Sequence, residues 1–358
     1  MKKSEIKIQK AETSRIQEID FDNLDFGRKL SDHMFVMEYD NGVWHDAEVK
    51  PYGPIQIEPA LNTLHYGQAI FEGMKAFYVD ENTVNIYRPE EHHARFNNTA
   101  RRMCIPETDY DTFISALEEL VKIDNQWIPK KQGTALYIRP FIFASDNFLA
   151  ARTSTKFSYY IITSPVGAYY PEGFNPVKLT TTDEYVRAVE GGTGEAKTAG
   201  NYAASFLPAQ KAQEAGYTQV LWLDAKEHKY VEEVGTMNIH FMINDTLITP
   251  ALSGSILPGV TRRSVIALAK EWGIKVEERK ISIDEVYEAH ADGSLQEIFG
   301  SGTAAVISPV GLIHHKGNSI EINNNETGPM AKRMFAEITD IQYGRKEDRH
   351  GWVHSVKI

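Results

Sequence analysis

The chain has 358 residues with a formal net charge of −11 at pH 7, 42% hydrophobic and 24% charged residues, and one cysteine. That length allows two domains and an enclosed site, while the lone Cys104 excludes an intramolecular disulfide or a multi-cysteine zinc site and suits a reducing compartment. The acidic balance argues against nucleic acid as a partner, and no apolar run approaches the roughly 18–20 residues of a membrane span, so a cytoplasmic protein is expected.

Met1 to Lys10 has basic residues with no apolar segment behind them, which reads as a solvated, partly mobile terminus rather than a secretory signal. Phe35–Tyr39 and Trp44–Val49 alternate around Asp40-Asn41-Gly42, a hairpin signal. A helix is predicted from Pro89 to about Met103, then strands over Leu136–Phe143 and Tyr159–Thr163. Ser164 to Pro176 holds three Pro and two Gly in thirteen residues, the best linker candidate. The division expected is therefore a smaller domain over 1–164, a linker over 165–176 and a larger domain over 177–358. In that second part a helix is predicted over Asn201–Ala215, stopped by Gly216. Strands follow at Thr218–Leu223 and Lys229–Glu233, then a tight hairpin over Asn238–Ile243 and Thr246–Thr249 about Asn244-Asp245. Helices at Thr261–Trp272 and from Pro329 to about Ile341 complete the pattern. Hairpins interleaved with helices favour an α+β or mixed α/β fold over a purely parallel doubly wound sheet.

Two glycine motifs invite nucleotide readings. Gly191-Gly-Thr-Gly-Glu-Ala-Lys-Thr198 lacks the glycine a phosphate loop needs at Ala196. Gly300-Ser-Gly-Thr-Ala-Ala305 has the dinucleotide spacing, but Ala305-Val-Ile-Ser-Pro309 is too short to be the helix that fingerprint must open. Lys197 then stands among Gly191, Gly192, Gly194 and Gly200, where the backbone could admit a planar ligand. Glu232-Glu233 ends a strand, where alternation turns only one of the two toward a pocket. Leu257-Pro-Gly-Val-Thr-Arg262 puts Gly259 and Thr261 at a helix start suited to phosphate, or simply to a cap. A lysine, a carboxylate and a helix-start anion site are the parts a pyridoxal phosphate enzyme requires: amine for the aldehyde, anion for the ring nitrogen, N–H groups for the phosphate.

Gly194–Ala204, Val220–Asp224, Glu233–Ile239, Ile256–Arg262 and Phe299–Ala304 resemble the branched-chain amino-acid aminotransferases. So do Asp32-His-Met34, Leu64–Phe77, Leu136–Pro140 and Ile341–Gly344, in the right order across roughly residues 25–356. The resemblance implies the two-domain pyridoxal phosphate fold type IV, a homodimer, and pyridoxal 5'-phosphate as cofactor. It implies Lys197 as the Schiff-base lysine and proton shuttle, Glu233 rather than Glu232 at the ring nitrogen, and Tyr202 at the ring hydroxyl. Arg95, the backbone of Val260 and Thr261, and the hydroxyl of Thr303 would hold the phosphate. Phe26, Tyr66, Tyr137, Tyr169, Thr236 and Ala304 would surround a branched-chain substrate, and Arg139 would receive the second carboxylate of glutamate or 2-oxoglutarate. Some relatives carry a Cys-x-x-Cys redox pair after Thr303-Ala304; Ala305 and Ser308 stand there, so that thiol switch is excluded. Ala150 and Ala151, in a loop expected to reach a partner subunit's site, depart from the usual pattern and leave side-chain preference open. A D-amino-acid aminotransferase or an aminodeoxychorismate lyase would share Lys197 and Glu233, while a nucleotide-binding module would use Gly191–Thr198. His92-His93 and His314-His315 show no metal-ligand spacing.

Overall fold

The structure, a computed structural model, describes residues 6–167 and 173–358; Tyr169 lies outside the described residues. The chain divides into two compact units: Met1–Tyr169 with Lys197–Gly200 and Asp340–Ile358, and Tyr170–Ala196 with Asn201–Thr339.

The first unit is built on a nine-stranded sheet. Its order is Lys7–Ile8, Val43–Pro51, His33–Asp40, Phe157–Val166, Ala135–Ala144, Met74–Asp80, Thr83–Tyr87 and Val353–Lys357, with Ala69–Phe71 paired to Ala135–Ala144. Asn41 and Gly42 turn the first hairpin with φ of 52° and 85°, and Asp40 pairs with Val43. Asn and Gly bear this left-handed backbone at little cost, which is why the turn was legible. Helices Pro89–Arg102 and Tyr110–Ile123 join the sheet in one core. Phe113, Ala116, Leu117, Leu120 and Val121 recur at helical spacing and meet Phe35, Phe96, Trp127 and Tyr159 there. Asp109 caps the second of these helices by accepting the Thr112 N–H at 2.8 Å.

Two features differ from expectation. From residue 6 onward the N-terminal segment is docked: Lys7–Ile8 pairs in parallel with Glu48–Val49. Buried Asp32 holds the following stretch, accepting from Ser14 Oγ at 2.5 Å and Arg15 N at 2.9 Å while also accepting from Trp127 Nε1 at 2.8 Å. At the other end, Val353–Lys357 pairs antiparallel with Thr83–Tyr87, which puts residues 340–358 in the first unit. No single cut of the chain yields these two units.

In the second unit, pairing runs from Val231–Val234 to Gln219–Leu223, Val177–Thr180, Val306–His315, Leu295–Gly302 and Met237–Ile243, and back to Val231–Val234. That cycle closes a barrel and leaves none of these six strands as an edge. Thr246–Thr249 and Lys275–Glu278 extend it beyond Met237–Ile243, and Asn318–Glu321 pairs with Val306–His315. Val177–Thr180 runs parallel to both neighbours while hairpins supply most other pairs, the mixed α/β character the sequence implied. Asn244 and Asp245 turn their hairpin at φ of 48° and 56°.

The helix predicted over 201–215 is two: Ala199–Ala203 and Phe206–Glu214. Pro208 explains the break, because it sits in the first turn of the second helix, where its missing N–H costs nothing; in a continuous helix it would clash with the preceding turn. The 300–305 motif is the end of the strand Leu295–Gly302 and the loop that turns it into Val306–His315, with no helix after it, so the dinucleotide reading fails as the sequence required. A Cβ on Gly300 would meet Met237 Cε at 2.8 Å, so this glycine accommodates a core side chain. Among the described residues no helix is long and apolar enough to cross a membrane, and no His/Cys/Asp/Glu group could hold a metal ion.

Candidate active site

The first unit holds Lys197, Arg95 and the aromatic candidates. The main chain ties Lys197 to the sheet. Its N–H donates to Thr99 Oγ1 at 3.0 Å, its carbonyl accepts from Phe71 N at 3.1 Å, and the Thr198 hydroxyl donates to the Ala69 carbonyl at 2.9 Å. The half-buried side chain places Nζ 4.9 Å from the centre of the Phe71 ring. The Arg139 guanidinium lies 4.6 Å from the same ring centre and 5.2 Å from that of Tyr137, whose hydroxyl accepts from Arg139 Nη2 at 2.8 Å. Phe26 meets Tyr137 edge to face at 5.0 Å. Gly73 makes room for Tyr137, since a Cβ there would collide with the phenol oxygen. Phe26, Tyr137 and Arg139 therefore form one cluster, joined to Lys197 through Phe71. Tyr66 closes the short helix Asn62–Tyr66 at 44% exposure and packs on His65 rather than in that cluster.

Arg95, from the helix Pro89–Arg102, is buried with its fork on Glu72: Nε to Oε1 at 2.7 Å and Nη2 to Oε2 at 2.9 Å, with His92 Nδ1 2.8 Å from Oε2. Burial would raise the Glu72 carboxyl, but Arg95 and His92 outweigh it and hold it far below the usual carboxylate range. Burial lowers His92 against the pull of Glu72, which favours its neutral form. The buried Lys75, directly across from Tyr137 in the sheet, is lowered by burial to about 8.

The second unit brings Tyr202, Glu233 and Thr236 to one pocket, which Arg187, Asn201, Ser205, Gly235 and Leu257 also line. Gly235-Thr236 is the turn between Val231–Val234 and Met237–Ile243, and Gly235 takes φ of 53°. Both neighbouring carboxylates are buried, Glu232 at 7% and Glu233 at 2% exposure, so neither is solvated. Alternation instead sends them to different surroundings. Glu233 Oε2 lies 2.6 Å from Arg187 Nε, and Oε1 accepts from Asn238 Nδ2 at 3.0 Å and Leu257 N at 3.1 Å. Glu232 accepts from the Ser255 hydroxyl at 2.5 Å and lines a separate cavity of about 510 Å³; burial raises its carboxyl. Val260 and Thr261 open the helix Val260–Glu271 and are buried. No side chain caps that start, and the first N–H groups of a helix lack intrahelical acceptors. Thr303 and Ala304 lie in the half-buried loop between Gly302 and Val306.

Reading the sequence did not single out Glu72, Phe71, Arg187 or Asn238. Phe71 and Glu72 stand inside the 64–77 motif, but nothing in the sequence marks Arg95 as buried and so in need of a carboxylate. Arg187 lies in a stretch without periodicity, and only the folded loop reveals its partner.

The amino-transferase class IV family model matches residues 69–313. Branched-chain-amino-acid aminotransferase 2 of Bacillus subtilis (strain 168) is 51% identical, covering 99% of this chain and 98% of that protein. A probable branched-chain-amino-acid aminotransferase of Staphylococcus aureus (strain N315) is 49% identical over 97% of both. Among solved structures, the Escherichia coli branched-chain amino acid aminotransferase aligns with a TM-score of 0.72 at 27% identity, covering 90% of this chain and 98% of that one. The T.th. branched-chain amino acid aminotransferase complexed with N-(5'-phosphopyridoxyl)-L-glutamate aligns with a TM-score of 0.71 at 25% identity, covering 89% and 97%. With matches of this extent across a two-unit mixed α/β chain that carries Lys197 and a buried Glu233, the chain belongs to the class IV aminotransferases, within the branched-chain-amino-acid aminotransferase family.

Proposed function

We propose that this chain transfers the amino group of leucine, isoleucine and valine to 2-oxoglutarate, giving the branched-chain 2-oxo acids and L-glutamate, with pyridoxal 5'-phosphate as cofactor. The observation that carries this is the 51% identity, over 99% of the chain, to the Bacillus subtilis aminotransferase. The residues suit the cofactor: a buried carboxylate held by a guanidinium and two further donors favours its anionic form, as a partner for a protonated ring nitrogen must. When bound, the cofactor supplies an aldehyde that condenses with amines and a ring that accepts the electron pair left when a Cα proton departs.

The protein's own groups do the rest. Lys197 Nζ would anchor the cofactor at rest and, as the free amine, would take the Cα proton and later return it. Glu233 keeps the proton on the ring nitrogen, and the Tyr202 hydroxyl bonds the ring oxygen. Arg95, the N–H groups of Val260 and Thr261, and the Thr303 hydroxyl bind the phosphate. Phe26, Tyr66, Tyr137 and Tyr169 offer aromatic area to an aliphatic side chain, worth about 0.8 kcal/mol per buried CH₂. Thr236 and Ala304 orient the substrate, and Arg139 takes the second carboxylate of 2-oxoglutarate. Two half-reactions on one lysine imply ping-pong kinetics. The same reading makes the protein a cytoplasmic homodimer with small-molecule partners only and no nucleic-acid or membrane partner, and makes 165–176 the segment in which the chain first passes from one unit to the other.

The test is amino-donor profiling with 2-oxoglutarate, alongside borohydride reduction and peptide mass analysis. Turnover of the three branched-chain L-amino acids, a cofactor mass increment on Lys197 and loss of turnover in Lys197→Ala are expected. Preference for D-alanine, or full transamination by Lys197→Ala, would overturn the reading.

A further inference from the structure

Arg187 lies in the irregular segment after Val177–Thr180, and its side chain is 8% exposed. Each guanidinium nitrogen has a partner. Nε meets Glu233 Oε2 at 2.6 Å, Nη1 donates to the Ser255 carbonyl at 2.7 Å and the Gly194 carbonyl at 3.3 Å, and Nη2 also reaches Gly194 at 3.4 Å. The two carbonyls belong to different loops, and Gly194 is what lets them converge, because a Cβ there would collide with the Ser255 carbonyl oxygen and stand 2.6 Å from Ala188 Cβ. The glycine that mimics a phosphate loop in the sequence thus serves an arginine. The Ser255 loop continues to Leu257, whose N–H donates to the other oxygen of Glu233 at 3.1 Å, and Asn238 Nδ2 bridges Glu233 Oε1 to the Leu257 carbonyl. Glu232, one residue away and also buried, accepts a hydroxyl where Glu233 meets a cation.

We propose that Arg187 is the positioning residue for Glu233: it holds that carboxylate ionised in one orientation and fastens the Gly194 and Ser255 loops around it. The proposal deepens the aminotransferase reading and rests on it only for what Glu233 then faces. Buried at this depth, a carboxylate without a cation would favour its protonated form, which cannot serve as the anion for a ring nitrogen. Arg187 thus acts through Glu233, setting whether that carboxylate is available as the anion. A lysine in its place would supply charge but not the planar fork that reaches two carbonyls at once.

The experiment uses full-length apoprotein labelled with [δ-¹³C]glutamate, with the Glu233 resonance assigned by its loss in Glu233→Gln. The titration midpoint is followed in the wild type, Arg187→Met and Arg187→Lys. In Arg187→Met the Glu233 midpoint is expected at least one pH unit above the wild type, and in Arg187→Lys between the two. With cofactor added, Arg187→Lys is expected to lose more than tenfold in kcat with less than a threefold change in KM. An unchanged midpoint in folded Arg187→Met overturns the proposal. Should that variant fail to fold, Arg187→Lys decides, and a midpoint at or below that of the wild type overturns it. The titration needs no turnover, so absence of transaminase activity in the wild type would remove the functional reading alone, and normal turnover with an unmoved midpoint would remove the Arg187 role alone.

Discussion

Among the described residues each unit buries a Glu–Arg pair at nearly equal depth, with side chains 0% and 6% exposed for Glu72–Arg95, 3% and 8% for Glu233–Arg187. They are wired differently. Arg95 places two nitrogens on both oxygens of Glu72, and His92 adds a third contact to that carboxylate. Arg187 gives its carboxylate Nε and turns its other nitrogens to backbone carbonyls. The first pair is bidentate, and Glu72 also accepts from Gly73 N at 3.1 Å; the second pair fixes a carboxylate against two loops. Burial and charge alone do not distinguish the two pairs; the hydrogen bonds around each carboxylate do.

The largest effect that separates the pairs is on stability. Glu72→Ala strands a buried guanidinium and is expected to cost about 3–5 kcal/mol, read from urea midpoints; a loss under about 1 kcal/mol would mean water or another anion readily replaces Glu72. For Glu233→Gln the expected loss lies in rate, about 10²-fold in kcat with cofactor occupancy nearly intact. Unchanged kcat there would hand the ring partner's role to Glu232. The acid limb comes next. Glu72 is depressed in the fold, so its contribution is present above about 4.3 and is lost as pH falls through its folded value. His92 is also depressed, so stability begins to fall below about 6.5, where the unfolded chain takes the proton first. Denaturation between pH 7 and 3 should show both contributions in the wild type and only the upper one in Glu72→Gln; identical curves would discount the pair. Smallest is Ser255→Ala, which removes the hydroxyl from Glu232 and is expected to cost about 1 kcal/mol with turnover unchanged.

The hairpin turns at Asn41-Gly42 and Asn244-Asp245 were legible because left-handed backbone selects those residues locally. The helix Pro89–Arg102 was legible from its proline start. Where tertiary contact decides, the sequence was silent or misleading. The single helix over 201–215 ignored Pro208, and the glycines around Lys197 suggested room for a ligand, whereas Gly194 gives way to the Ser255 carbonyl. Lys197 and Glu233 emerged because their types and order are chemically unusual together. Arg187 could not, since an arginine in an aperiodic segment has no local mark of its partner.

The strand Val353–Lys357 has a consequence for how the molecule is made. It completes the first sheet on Thr83–Tyr87, and the Ser355 hydroxyl donates to Asn85 Oδ1 across a separation of 270 residues. On a ribosome adding about 5–20 residues per second, the outer edge of Thr83–Tyr87 waits roughly 15–50 s for its partner. Over that interval the first unit carries an open strand edge, the surface through which nascent sheets pair with one another. Truncating even the final strand would make that interval permanent, and such a chain is expected to partition into aggregates whatever the state of its active site.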